Sequence, residues 1–148
     1  MFTRNKIEML LLTIFLLFFC ISKAQAGEPV PGAEITIELE PDDEPIANVT
    51  TDPNGEFEIV FSNTSNNLPN IANLPSLGTF VFTIKPSKSF ALKHKFDLQG
   101  SKKIKVKFKK ENGKRLKNGI VFRYVLTWKS DAKAENKGTF AVSGKSDA

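Results

Sequence analysis

Lys103, Lys105, Lys107 and Lys109 alternate with Ile104, Val106 and Phe108. In an extended segment this spacing puts four ammonium groups on one face, about 6.5–7 Å apart, and the apolar side chains on the other. Three roles fit such a row. It can be a solvated strand face that deters pairing by other strands. It can pair with carboxylates on neighbouring strands of the same sheet. It can bind a polyanion, whether an acidic polysaccharide, an anionic lipid or an acidic protein partner. Nucleic acid fits poorly, because no stacking aromatics are interleaved with the lysines for the bases.

A second candidate surface is Ser62–Leu77, where neither helical nor strand periodicity survives. Asn66, Asn67, Asn70 and Asn73 crowd it together with Pro69 and Pro75. A loop of this kind at one end of a rigid scaffold is either a binding surface or a tolerated insertion.

Catalytic and metal chemistry find little support. His94 is the only histidine and stands between Lys93 and Lys95. No second His, Cys or acidic cluster completes a site around it, so a structural role is expected. Asp42, Asp43 and Glu44 form one acidic turn, and Asp52 and Asn54 another. These are hard oxygen ligands, but the loop pattern with a distant bidentate Glu is missing, so solvated turns and no metal site are expected. Composition admits a Ser-His-Asp triad, yet no Gly-x-Ser-x-Gly elbow occurs. The reading is a protein with no catalytic residues and no cofactor.

Charge is divided along the chain. Residues 27–84 hold ten carboxylates and no Lys or Arg, whereas residues 85–148 hold eighteen basic and five acidic side chains. The division favours either internal pairing, an anionic ligand, or self-association of acidic against basic faces.

The elements that must position these groups read as strands. Ala33, Ile35, Ile37 and Leu39 alternate with Glu34, Thr36, Glu38 and Glu40; Phe57, Ile59 and Phe61 alternate with acidic neighbours. Between them, Asp52-Pro53-Asn54-Gly55 is turn chemistry. Thr79–Lys85, Phe90–Leu98, Lys103–Lys109 and Ile120–Trp128 follow as strands, with Thr139–Val142 as a short last one. In Ile120–Trp128 the second face carries Val121 and Val125, which predicts a strand covered on both sides. Seven to eight strands without a helix predict an all-β, antiparallel Greek-key sandwich.

Val30-Pro31-Gly32-Ala33, followed by Thr51-Asp52-Pro53-Asn54-Gly55-Glu56-Phe57, resembles the carboxypeptidase regulatory-like domains, with Leu74–Phe80 as a looser third match. The resemblance covers roughly residues 27–110 and implies a transthyretin-like (prealbumin-like) sandwich. Enzymes on related sandwiches use several His and Arg residues, or two Tyr and two His around iron. This chain has one Tyr and one His.

Residues 1–26 read as a secretory signal peptide. Arg4 and Lys6 precede the apolar run Met9–Ile21, and Ala24-Gln25-Ala26 supplies the small residues of a cleavage site. The run is short for a membrane anchor. Lipidation at Cys20 would want a small residue where Phe19 stands. The expected layout is a leader, a β-sandwich over residues 27–142 with no transmembrane segment, and a flexible tail over residues 143–148. The expected function is an exported, periplasmic or extracellular binding module. The alternative is a structural subunit that stacks through its charged faces.

Overall fold

The alternating apolar residues form the inner faces of two antiparallel sheets in the computed structural model, which describes residues 27–95, 102–131 and 137–145. The strands are β1 (Glu28–Pro29), β2 (Glu34–Leu39), β3 (Pro45–Thr50), β4 (Glu56–Ser62), β5 (Leu77–Lys85), β6 (Lys102–Lys109), β7 (Lys114–Leu116), β8 (Gly119–Ser130) and β9 (Gly138–Gly144); helix α1 spans Lys88–His94. The first sheet is ordered β3-β2-β5-β6. The second is built on β8. One edge of β8 takes β4 and β1; the other takes β7 and β9.

Register explains the core. Ile35, Ile37 and Leu39 of β2 face Ile84, Phe82 and Phe80 of β5. Phe57, Ile59 and Phe61 of β4 face Tyr124, Phe122 and Ile120 of β8. Aromatic rings join the two layers: Phe57 meets Phe82 edge-on at 5.3 Å, and Phe80 meets Phe122 at 5.6 Å. Edge-to-face packing of this kind adds to what burial alone contributes.

The turn before β4 is held by its own side chains. Asp52 Oδ1 accepts from the Asn54 and Glu56 amides, at 2.8 and 2.9 Å, and Gly55 adopts φ +75°. A Cβ at Gly55 would also meet the Leu126 carbonyl at 2.5 Å. Beside it, the buried Thr51 hydroxyl donates to the Val30 carbonyl (2.6 Å) and accepts from the Ala33 amide (2.9 Å). The Thr-Asp-x-x-Gly run thus joins the start of β2 to the start of β4.

The structure departs from expectation in four places. Among the described residues there are nine strands rather than seven or eight. The stretch between the two acidic strands is not a spacer: Pro45–Thr50 pairs with β2, with a register shift at Ile37/Glu38. It is an edge strand whose apolar residues are only half-buried, so its alternation is weak. The expected Phe90–Leu98 strand is helical through His94. Phe90, Ala91 and His94 share an inner face, and Leu92, expected beside Phe90, projects into solvent. Ser87 caps this helix by accepting from the Phe90 amide, and Lys95 closes it at φ 55°. Finally, β9 runs past Val142, so Ser143 and Gly144 are strand rather than tail. Residues 96–101, 146–148 and the expected leader lie outside the described residues. No helix among the described residues is long and apolar enough to cross a membrane.

The expectation for β8 holds at Val121, which faces away from the core and is nonetheless buried. Val125 on the same side is half-buried.

Candidate anion-binding face

The lysine row lies on β6, the edge strand of the first sheet. Phe108 turns inward and is buried; Ile104 and Val106 pack against the core. Lys103, Lys105, Lys107 and Lys109 point outward and are exposed, opposite Thr83, Val81, Thr79 and Leu77 of β5.

The acidic strands are not beside this row. β5 separates β6 from β2, and β4 is in the other sheet. Lys105 is the exception, because the chain beyond β2 brings the Glu40 carboxylate to 2.5 Å. The hydrogen bond it donates to Glu40, together with the carboxylate's charge, holds the Lys105 ammonium above the usual lysine value. Among the described residues Lys103, Lys107 and Lys109 have no carboxylate partner. The β4 carboxylates pair elsewhere: Glu58 with Arg123 at 3.4 Å and Glu56 with Lys145 at 2.7 Å.

The second sheet has a break facing β6. On that edge of β8, β7 covers Gly119–Val121 and β9 covers Tyr124–Ser130, so Phe122 and Arg123 fall between the two ladders. The Lys145 amide donates to the Arg123 carbonyl at 2.8 Å and holds the end of β9 against the gap. The result is a cleft of about 630 Å³ between β6 and β8. Lys107, Lys109, Lys114, Arg123 and Lys145 stand around it; Phe108, Phe122 and Tyr124 form its inner wall. No carboxylate is among its lining residues. Phe108 and Phe122 pack at 5.5 Å. Gly78 lies opposite Phe108 in the ladder, and a Cβ there would meet the Phe108 ring at 2.6 Å.

Burial pushes the Tyr124 phenol up to about 12, so it stays protonated across physiological pH. The cleft is suited to holding an anion. Two of its five cations, Arg123 and Lys145, already answer to β4 carboxylates, whereas the exposed Lys107 and Lys109 have no carboxylate partner among the described residues.

Lys114, Arg123 and Lys145 escaped the sequence reading of the site. Only Arg123 left a local trace, as the basic residue on the outer phase of β8. The other two reach the cleft through the paths of β7 and β9, which no local spacing announces.

The loop asparagines are not part of this cleft. Asn70 Oδ1 accepts from the Ala72 amide at 2.9 Å and caps the single turn Ile71–Asn73. The Asn67 amide donates to Ser65 Oγ at 3.2 Å. Asn66, Asn67, Asn70 and Asn73 are all exposed at the end of the sandwich.

His94 does not line the cleft. Its ring packs on Phe90 at 4.3 Å and lies 5.8 Å from Trp128; Nε2 is 3.0 Å from Glu28 Oε1. That approach is close but not aligned as a hydrogen bond. Among the described residues, no group of three or more His, Cys, Asp or Glu side chains could hold a metal ion. No family model matches the chain, and no curated protein or solved structure is significantly similar to it.

Proposed function

We propose that this chain is an exported, non-catalytic β-sandwich module, Greek-key and transthyretin-like, that binds an anionic polysaccharide at the cell envelope. The observation that carries the binding role is the meeting of five cations around one cleft without a lining carboxylate, continuous with the exposed lysines of β6. A charged polymer can lie along Lys103–Lys109 and place one anionic group in the cleft. The fold reading rests on the resemblance at Thr51–Phe57 and on a chain that changes sheet after β1, β3, β4 and β6.

The test is isothermal titration with polygalacturonate and with neutral dextran. Polygalacturonate should bind and dextran should not. Changing Lys103, Lys107 and Lys109 together to Gln should weaken binding at least tenfold at low salt, each charge contributing roughly 1 kcal/mol beside a polyanion. Equal binding of both polymers, or an unaffected triple variant, sinks the proposal.

A second reading rests on the arrangement of one sheet. The acidic β2–β3 hairpin, with Asp42, Asp43 and Glu44 at its turn, forms one side, and the β6 lysines line the opposite edge. Copies stacked side by side would match the two signs, making the chain a structural subunit of an envelope or surface assembly. Light scattering separates the readings. Assemblies at about 0.01 M salt that dissolve at about 1 M, where the Debye length falls from about 30 to about 3 Å, favour stacking. A monomer throughout favours the binding module.

A further inference from the structure

The inner wall of the cleft holds an unused hydroxyl. Tyr124 is 6% exposed, and its ring is fixed between the sheets by Phe57 at 5.7 Å and Phe82 at 5.3 Å. Among the described residues nothing hydrogen-bonds its phenol oxygen. His94 Nε2 is the only fully enclosed side-chain N or O there without a partner. The Tyr124 hydroxyl is thus unbonded but not sealed, and it borders the cleft that Tyr124 lines. A buried polar group in that position calls for a partner.

The lining is graded from mouth to wall. Lys107 and Lys109 are exposed, whereas Phe108 and Phe122 are buried behind them. A bare anion would use the lysines and leave the phenol unanswered. A neutral sugar would use the phenol and leave the lysines unanswered. A phenol both donates and accepts, as a sugar hydroxyl does. A ring that carries a carboxylate beside hydroxyls satisfies both parts of the lining and lays its C–H groups on the aromatic wall. The volume of about 630 Å³ suits such a ring, since small-molecule pockets span about 300–1,000 Å³.

We infer that the cleft is a subsite for a uronic-acid unit, with its carboxylate held by Lys107 and Lys109 and a ring hydroxyl hydrogen-bonded by Tyr124. The inference rests on the polysaccharide reading of this cleft and adds the residue that selects a sugar over other anions.

The test is titration of the wild-type protein and of variants with digalacturonate, which is too short to follow β6, and with polyglutamate, a carboxylate polymer without hydroxyls. Digalacturonate should bind on its own. Tyr124→Phe should weaken it about tenfold, the worth of one hydrogen bond. The same change should leave polyglutamate binding and the salt dependence of both ligands as they were, because no charge is removed. Lys107→Gln with Lys109→Gln should weaken both ligands and flatten both salt dependences. Urea midpoints check that the variants fold. Wild type supplies a check that needs no variant: Tyr124 is the only tyrosine, so its ring NMR signals should move with digalacturonate and stay still with polyglutamate. Polygalacturonate binding without digalacturonate binding overturns the subsite and leaves the polymer reading standing; binding of neither overturns both. An unaffected Tyr124→Phe would mean that water satisfies the phenol, and an equal loss of polyglutamate would mean that the phenol only supports the fold. Either result overturns the assignment.

Discussion

The two ends of this sandwich are closed in opposite ways. At one, α1 lays Phe90 edge-on against Trp128 at 5.9 Å and tilted against Phe140 at 6.2 Å. Thr51 and the Asp52–Gly55 turn complete that end with internal hydrogen bonds. At the other, loops cross between the sheets and leave Leu68, Leu77 and Leu116 facing outward. The first end converts apolar residues into stability. The second keeps them in contact with solvent.

The comparison can be broken by substitutions at each end. The largest effect is expected from Phe90→Ala, which should cost about 3–4 kcal/mol in urea unfolding and change the fluorescence of Trp128, the only tryptophan. A loss below about 1 kcal/mol would mean that α1 is an appendage rather than a cap. Thr51→Val should follow at about 2–3 kcal/mol, because the Ala33 amide and Val30 carbonyl would lose their buried partner. Leu77→Ser and Leu116→Ser should each shift stability by no more than about 0.5 kcal/mol. A larger loss would place those leucines in the core and remove the contrast.

One further measurement sharpens the contrast at the cleft between the ends. Tyr124 is the only tyrosine, so an absorbance titration reads it alone. Its ionisation should centre near 12 rather than 10. Burial raises the folded value, so Tyr124 adds no pH dependence below the unfolded pKa near 10. Stability should fall as pH climbs from there toward 12, because the unfolded chain releases the proton first. A midpoint near 10 would mean that water reaches the phenol through the cleft.

Much of the fold was legible because alternation is a local signal. Ala33–Leu39, Phe57–Phe61, Phe80–Ile84 and Ile120–Trp128 show their inner faces in order, and the structure places them so. The helix was hidden because its seven residues make fewer than two turns. Phe90 and Leu92 mimic a strand phase when read without their neighbours, whereas the Ser87 cap and the Phe90–His94 spacing carry the better signal. β3 was hidden because an edge strand needs only half-buried residues. The β6 lysines were legible one by one, but the cleft was not. It depends on where β7 stops and β9 begins, which brings Lys114, Arg123 and Lys145 together across thirty-one positions.

The ordering of the first sheet has a kinetic consequence. The carboxylates of the β2–β3 hairpin stand on one side of β5 and the lysines of β6 on the other, so the outer face of this sheet acts as a local dipole. Near a negatively charged object this dipole exerts a torque before touching occurs, turning the β6 edge forward. Encounters would then begin from a narrowed set of orientations. The gain would appear as faster association at low ionic strength, fading as ions screen the field, rather than as slower release.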